Sequence, residues 1–184
     1  PSPRPARMLP PDQRRAIRRQ ALSISLSVMP FGVAFGVSCV QAGLSLAEAM
    51  GFSLLVFTGG SQFAAVRVLT DGGTAAAALT AGLLLALRSL AYGVVMAPAL
   101  GEKPRWWRAL ASQWMIDETM AVGSSQIGKE AQRYGYLLTG VMLYTSWNVS
   151  TAVGALLSEA GDLVTKFGID ATIPAAFLAL VWPR

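Results

Sequence analysis

Apolar residues in this chain are gathered into long blocks that are separated by short polar stretches. The blocks comprise residues 21–40, 49–69, 74–100, 109–127, 134–157 and 171–184. A helix needs about 20 predominantly apolar residues to cross a bilayer whose hydrocarbon core is roughly 30 Å thick. The first, third and fifth blocks meet that length, and the sixth is too short. The pattern therefore predicts an all-α fold, a polytopic membrane helical bundle.

Polar and small residues interrupt the second block. Thr58, Gly59, Gly60, Ser61 and Gln62 stand between two apolar runs. Each glycine costs a helix roughly 1 kcal/mol relative to alanine, so we predict a broken or re-entrant helix here. Two interpretations remain open. The small residues can form a notch for a neighbouring helix, or the restarting helix can direct its free N–H groups at an anionic substrate group.

The composition agrees with a membrane protein and narrows the possible chemistry. Hydrophobic residues make up 53% of the chain and charged residues 14%, whereas a soluble domain carries about 25% charged residues. There is no histidine, which excludes histidine-based nucleophile pairs and histidine metal ligands. The single cysteine, Cys39, excludes an intrachain disulfide. No glycine-rich nucleotide-binding motif is present, so we expect neither a metal nor a cofactor.

The first 20 residues form a basic arm. They hold six arginines and one acidic residue, Asp12, and so carry the whole net charge of +5. A basic run can contact nucleic acid, but directly before an apolar segment the positive-inside rule explains it better. We therefore predict that residues 1–20 are a cytoplasmic arm without a nucleic-acid partner. Residues 21–184 would be a transmembrane domain in the lipid bilayer, incomplete at its C-terminus.

The loop after the third block complicates the orientation. Three full crossings from a cytoplasmic N-terminus would place Lys103, Arg105 and Arg108 outside, against the positive-inside rule. Either one segment is re-entrant, or the arginines of the arm dominate the orientation.

Two predicted helices carry charges at depths where a charge is costly. Arg88 lies more than a turn inside either end of the third block, and Asp117 and Glu118 lie in the fourth. An intramembrane charge normally faces a partner or a cavity, so we predict that Arg88 pairs with one of the two acids. The alternatives are that Arg88 snorkels to the interface and that the fourth block lies on the membrane surface. Asn148 belongs to a polar face of the fifth block.

Two local motifs predict helix packing and a helix start. Gly32 and Gly36 form a small-xxx-small notch in the first block, which favours close approach of a neighbouring helix. Ser45 and Glu48 have the spacing of a capping box at the start of the second helix.

A faint internal repeat relates the second block to the end of the chain. Residues 43–57 align without gaps on residues 168–182, and both stretches begin with glycine and reach a phenylalanine nine positions later. Internal repeats are common in transporters, although chance similarity between apolar segments is equally compatible. If the repeat is real, residues after Arg184 would supply a second broken helix that faces Gly59 and Gly60.

An ordered series of motifs resembles one family. The motifs are MPFGVAFGV, FTGGSQFAA, LRSLAYG, IDETMAV and GIDATIPAAFLAL. They resemble the AzlC-type branched-chain amino-acid permeases over nearly the whole chain after the arm. The resemblance implies a multi-pass protein of the bacterial cytoplasmic (inner) membrane that exports branched-chain amino acids with a small AzlD-type membrane subunit. The chain departs from the family at Ala86 and Ser89, where asparagine and histidine are frequent.

Taken with these residues, the resemblance implies a binding site for small zwitterionic amino acids. Backbone N–H groups and side chains from Gly59 to Gln62, including Gly60 and Ser61, would hold the carboxylate. Asp117 or Glu118 would meet the ammonium group or carry a coupling proton. Arg88 would neutralise an acid or contact the carboxylate, and Asn148 would add a polar contact.

Two other classes of function are weighed against a transporter. A non-transporting membrane scaffold or assembly subunit would share the composition and the spans. An intramembrane hydrolase of the aspartyl type would need two aspartates that face each other, and only Asp117 lies at a suitable depth. The sequence therefore favours the transporter.

Overall fold

The computed structural model describes residues 9–101 and 103–159, which form helices and no strands. The helical segments are α1 (Pro11–Gln41), α2 (Leu46–Leu55), α3 (Gly59–Thr70), α4 (Ala75–Ala86), α5 (Arg88–Leu100), α6 (Arg105–Ser112), α7 (Asp117–Ser124) and α8 (Lys129–Glu159). Only Leu87 separates α4 from α5, and its backbone is helical (φ −56°, ψ −30°). Residues Ala75–Leu100 therefore act as one long helix, and the predicted all-α bundle is confirmed.

Within the part of the chain that the structure describes, two helical stretches are long and apolar enough to cross a membrane. They are α1, with 31 residues, and the 26-residue stretch Ala75–Leu100. Helix α1 begins at Pro11, inside the predicted arm, and its residue Ile17 is buried against α7 and α8. The predicted boundary at residue 20 therefore lies within a continuous helix.

Helices α1 and α8 run parallel and form the centre of the bundle. Near their N-termini Ile17 packs with Ala131, and further along Gly32 faces Ser150. At Gly36 an added Cβ would lie 2.1 Å from the carbonyl oxygen of Thr151, so the backbones touch there. The predicted glycine notch is confirmed, and α8 is its partner. Because α8 follows α1 along its length, both helices have their N-termini at the same end of the bundle, called here the basic end.

The α2–α3 hairpin enters the bundle from the opposite end, called here the far end. Going along α2, Ser53 contacts Thr151 and then Phe57 packs on Tyr144, so α2 descends toward the middle of α8. Helix α3 then returns beside α4, where Ser61 lies against Gly82. The chain is non-helical between α2 and α3, so the predicted break in the second block is confirmed. The capping box at Ser45 and Glu48 is also present.

A second hairpin, α6–α7, enters from the basic end. Helix α5 runs antiparallel to α8, which brings Met96 beside Tyr136 and places the start of α6 at the basic end. Along α6 the chain rises until Trp114 packs against Gly140, and α7 then descends until Gly123 packs against Tyr136. The fourth block is thus neither a full span nor a surface helix, because residues 113–116 break it near the middle of the bundle.

The two hairpins have opposite topology. Helix α1 is followed by a hairpin that enters from the far end, and Ala75–Leu100 is followed by one that enters from the basic end. Transporters often contain inverted repeats of this kind. The repeat predicted from sequence pairs residues 43–57 with 168–182, and the second of these stretches lies outside the described residues.

Candidate site at the meeting point of two hairpins

The tips of the two hairpins are hydrogen-bonded to each other. Helix α2 ends at Leu55 and leaves carbonyl groups without helical partners, as every helix C-terminus does. The side-chain amide of Gln113, in the α6–α7 tip, donates to the carbonyl oxygens of Leu54 (3.1 Å) and Leu55 (3.0 Å). The Tyr144 hydroxyl of α8 also donates to the Leu54 carbonyl (2.9 Å). The α6–α7 tip therefore satisfies carbonyl groups that the break leaves free at the end of α2.

An ion pair lies beside these tips. Arg88 Nη2 is 2.9 Å from Asp117 Oδ2, and the Tyr92 hydroxyl donates to Asp117 Oδ1 at 2.5 Å. The predicted approach of Arg88 to one of the two acids is confirmed, with Asp117 as the partner. Arg88 is near the centre of Ala75–Leu100, about 18–20 Å from either end at 1.5 Å per residue. The pair is therefore close to the middle of a stretch that is long and apolar enough to cross a membrane.

Both glycines of the break lie close to other side chains of the site, where a Cβ would be tight. A Cβ added at Gly60 would lie 3.1 Å from Arg88 Nη2, and one added at Gly59 would lie 3.1 Å from the Trp147 ring. Helix α3 starts at Gly59, so its free N–H groups and positive dipole end face this region. Asp117 and Glu118 form the first turn of α7, where negative charge is favourable.

The tips and the ion pair enclose a cavity of about 60 Å³. Its polar lining comes from the two hairpins and α5, and its apolar lining from the hairpin tips, α1 and α8. The lining residues are Val28, Phe57, Thr58, Gly59, Gly60, Arg88, Ile116, Asp117, Glu118, Leu143 and Trp147. A water molecule needs roughly 10–15 Å³ of such volume, so the cavity holds a few waters and no amino acid as it stands.

Three predicted site residues do not line this cavity. Ser61 faces the opposite side of α3, where it packs against Gly82 of α4. Gln62 is fully buried, and neither amide atom has a hydrogen-bond partner within the described residues. The amide nitrogen of Asn148 donates to the Tyr144 carbonyl of its own helix (2.8 Å). Of the eight predicted residues, Gly59, Gly60, Arg88, Asp117 and Glu118 are brought together at one cavity.

Hydroxyl groups hold the α6–α7 tip in its non-helical shape. Ser89 donates to the Met115 carbonyl (2.9 Å), and the Thr119 hydroxyl accepts from the Ile116 N–H (3.2 Å). Tyr136 donates to the Ala111 carbonyl at the end of α6 (2.5 Å). Ser89, at a position where histidine is frequent in the family that the chain resembles, thus has a structural role here.

Sequence reasoning missed several residues of the site. Tyr92 follows Arg88 by four residues, so the i, i+4 rule could have placed both side chains on one face. Gln113 and Trp147 carried no comparable signal, because their contacts join segments far apart in the chain.

Comparison with known proteins assigns the family. The family model described as "AzlC protein" matches residues 23–160. The inner membrane protein YgaZ of Escherichia coli K12 is 25% identical over 175 residues, covering 89% of this chain and 69% of YgaZ. An uncharacterized membrane protein of Archaeoglobus fulgidus is 28% identical over 163 residues, covering 88% of this chain and 71% of that protein. No solved structure matches. The chain is a membrane protein that belongs to the AzlC family.

Proposed function

We propose that the protein is a secondary transporter that exports branched-chain or similar small neutral amino acids. One observation carries this proposal. Two hairpins from opposite ends of the bundle meet around an ion pair at mid-depth, where their helix N-termini face a common cavity. Transporters with broken helices bind substrate at such midplane junctions.

The site offers complementary groups for a zwitterionic amino acid. Arg88 and the free N–H groups at Gly59 and Gly60 suit a carboxylate. Asp117 or Glu118 suits an ammonium group, or a proton that is exchanged for it. Apolar side chains on the α1 and α8 sides of the cavity suit an aliphatic side chain. They include Val28 and Leu143.

Substrate entry requires the tips to separate, because the cavity is too small for leucine. Separation from the far end would displace α2–α3, and separation from the basic end would displace α6–α7. The inverted hairpins thus provide one moving part for each side of the membrane, as alternating access requires.

We further propose a bacterial inner-membrane location with a cytoplasmic N-terminus. Cationic side chains are concentrated at the basic end, where Arg14, Arg18 and Lys129 lie at the starts of α1 and α8. The far end of the described chain carries Arg67, and that residue is paired with Asp71 (2.8 Å). This asymmetry agrees with the positive-inside rule. A small AzlD-type membrane subunit is the proposed partner.

Counterflow of labelled leucine tests the proposal. The chain and the small subunit are reconstituted into liposomes as wild type, Arg88→Gln, Asp117→Asn and the double variant. Each single variant leaves one unpaired intramembrane charge, which costs about 2.5–3.5 kcal/mol. That energy corresponds to about a hundredfold loss of flux if it raises the transport barrier. The double variant should regain stability and remain inactive.

The exposed pair Arg67–Asp71 provides the matched control. Arg67→Gln and Asp71→Asn should transport as the wild type does, because exposed ion pairs contribute little. Stable wild-type protein that gives no flux for any neutral amino acid would favour the scaffold alternative. Full flux in Arg88→Gln/Asp117→Asn would show that transport does not require the ion pair.

A further inference from the structure

A larger cavity lies between α5 and α6, and extends from the basic end at Arg105 to Met115 in the α6–α7 tip. It has a volume of about 330 Å³ and opens to the surface. Its floor is apolar, and its rim carries two arginines from one face of α6. The floor includes Gly93, Ala97 and Leu100, and the rim includes Arg105 and Arg108.

The two rim arginines are exposed cations about one turn apart on α6. Among residues 9–101 and 103–159, neither side chain takes part in an ion pair, and both are exposed. They also occupy the first turns of α6, which starts at Arg105. Cations at a helix N-terminus are unfavourable, because the helix dipole is positive there. An anion between the two guanidinium groups would relieve both the dipole and the mutual repulsion.

The depth of the cavity indicates what kind of anion binds. The cavity lies where the long helix Ala75–Leu100 ends, beside Trp106 and Trp107, and tryptophan is enriched at the membrane–water interface. An added Cβ at Gly93 would meet no atom within 4 Å, so the apolar floor is open along α5. Charge at the rim and an open apolar channel below it match a phosphate group that carries acyl chains.

We propose that this cavity binds an anionic phospholipid, with its phosphate on Arg105 and Arg108 and an acyl chain over Gly93 and Ala97. The bound lipid would hold α6 against α5 and thereby brace the base of the α6–α7 hairpin. The proposal does not depend on the transported substrate.

Native mass spectrometry of the full chain tests the proposal. The delipidated protein is mixed with phosphatidylglycerol or with phosphatidylcholine, and retained lipid is counted. The wild type should retain one phosphatidylglycerol at least tenfold more tightly than phosphatidylcholine. Arg105→Gln/Arg108→Gln should abolish this preference. Arg15→Gln/Arg19→Gln removes the same charge from an exposed face of α1 and should preserve it.

Gly93→Leu separates a lipid from a free anion. This variant keeps both arginines and fills the apolar floor of the cavity, so it should no longer retain the lipid. In a separate experiment on the wild type, millimolar inorganic phosphate should not displace the lipid. If both double-arginine variants lost the preference for phosphatidylglycerol equally, the preference would reflect general electrostatics and the proposal would be overturned. Displacement of the lipid by inorganic phosphate would also overturn it, as would lipid retention by Arg105→Gln/Arg108→Gln or by Gly93→Leu.

Discussion

The contact between the two hairpin tips can be dissected with Gln113 and Tyr144. Gln113→Leu removes two hydrogen bonds and leaves the Leu55 carbonyl without a donor among the described residues. The Leu54 carbonyl keeps its bond from Tyr144. Each lost bond costs about 1 kcal/mol, and an unsatisfied buried group costs about 1–3 kcal/mol. We expect a total loss of about 2 kcal/mol, since these carbonyls are partly exposed at the tip.

The double variant Gln113→Leu/Tyr144→Phe should lose more stability than the two single variants lose together. Tyr144→Phe keeps the ring that packs on Phe57 and removes one of the two donors to Leu54, so alone it should cost about 1 kcal/mol. Only the double variant leaves the Leu54 carbonyl with no donor. We therefore expect a coupling energy of about 1 kcal/mol in the cycle.

Thermal unfolding in detergent and thiol labelling measure the effect. A loss of 2 kcal/mol corresponds to about 4–8 °C in Tm for a chain of this size. Because Cys39 is buried, a cysteine introduced at Thr58 reports opening of the tips, and Gln113→Leu should accelerate its labelling. Gln126→Leu is the control, because that amide donates to Gln20, Val122 and Ser125 near the basic end, and its loss should leave labelling at residue 58 unchanged. Equal labelling rates at residue 58 in Gln113→Leu and Gln126→Leu would refute the contact between the tips.

Two further predictions concern helix packing and pH. Gly36→Ala should separate α1 from α8 and lower Tm sharply, because the new Cβ would lie 2.1 Å from a carbonyl oxygen. Gly51→Ala is the control, since its Cβ would meet no atom within 4 Å and the substitution should be neutral or stabilising. Hydrogen bonds from the Ser45 N–H and hydroxyl lower the pKa of Glu48, which is exposed in the first turn of α2. This carboxylate therefore stabilises the start of α2 above its unfolded pKa, and the stabilisation is lost as the pH falls through the lower folded value. Hydrogen exchange of α2 should show this loss between pH 6 and pH 3, a range that brackets the ordinary glutamate pKa of about 4.3. If a Glu48→Gln variant kept the same pH dependence, the prediction would be contradicted.

The sequence predicted the first break and the ion pair because both violate the rules of an apolar helix. Adjacent glycines at Gly59 and Gly60 weaken a helix locally. Arg88 and Asp117 are costly in hydrocarbon unless they meet. Such violations can be recognised without knowledge of the tertiary structure.

The sequence shows no comparable signal for the second break, between α6 and α7. The α6–α7 tip includes Trp114, Met115 and Ile116, which are apolar and include neither glycine nor proline. Its shape depends on hydrogen bonds from Ser89 and Tyr136, which lie on other helices. Single-sequence propensity does not contain that information, so the residues of the fourth block predict one helix, either a span or a surface helix. The tertiary contacts overrode the local preference.

The placement of Ser61 and Gln62 has a simpler cause. The sequence places four residues from Gly59 to Gln62 next to one another, and we predicted that they act together. Successive residues of a helix point about 100° apart, so a helix that starts at Gly59 cannot direct all of them at one cavity. The glycines contribute because the backbone at the helix start faces the ion pair, while the next two side chains face α4 and the core.

The first hairpin also accounts for the position of the basic loop. Because α2–α3 returns to the far end, the described part of the chain crosses the bundle twice before Lys103, once in α1 and once in Ala75–Leu100. Two crossings bring Arg105 and Arg108 to the end that holds Arg14 and Arg18. A continuous second helix would have placed these loop charges at the far end, against the positive-inside rule. The break at Gly59 and Gly60 therefore fulfils two requirements at once, since it exposes helix N–H groups at mid-depth and keeps the basic segments on one side of the membrane.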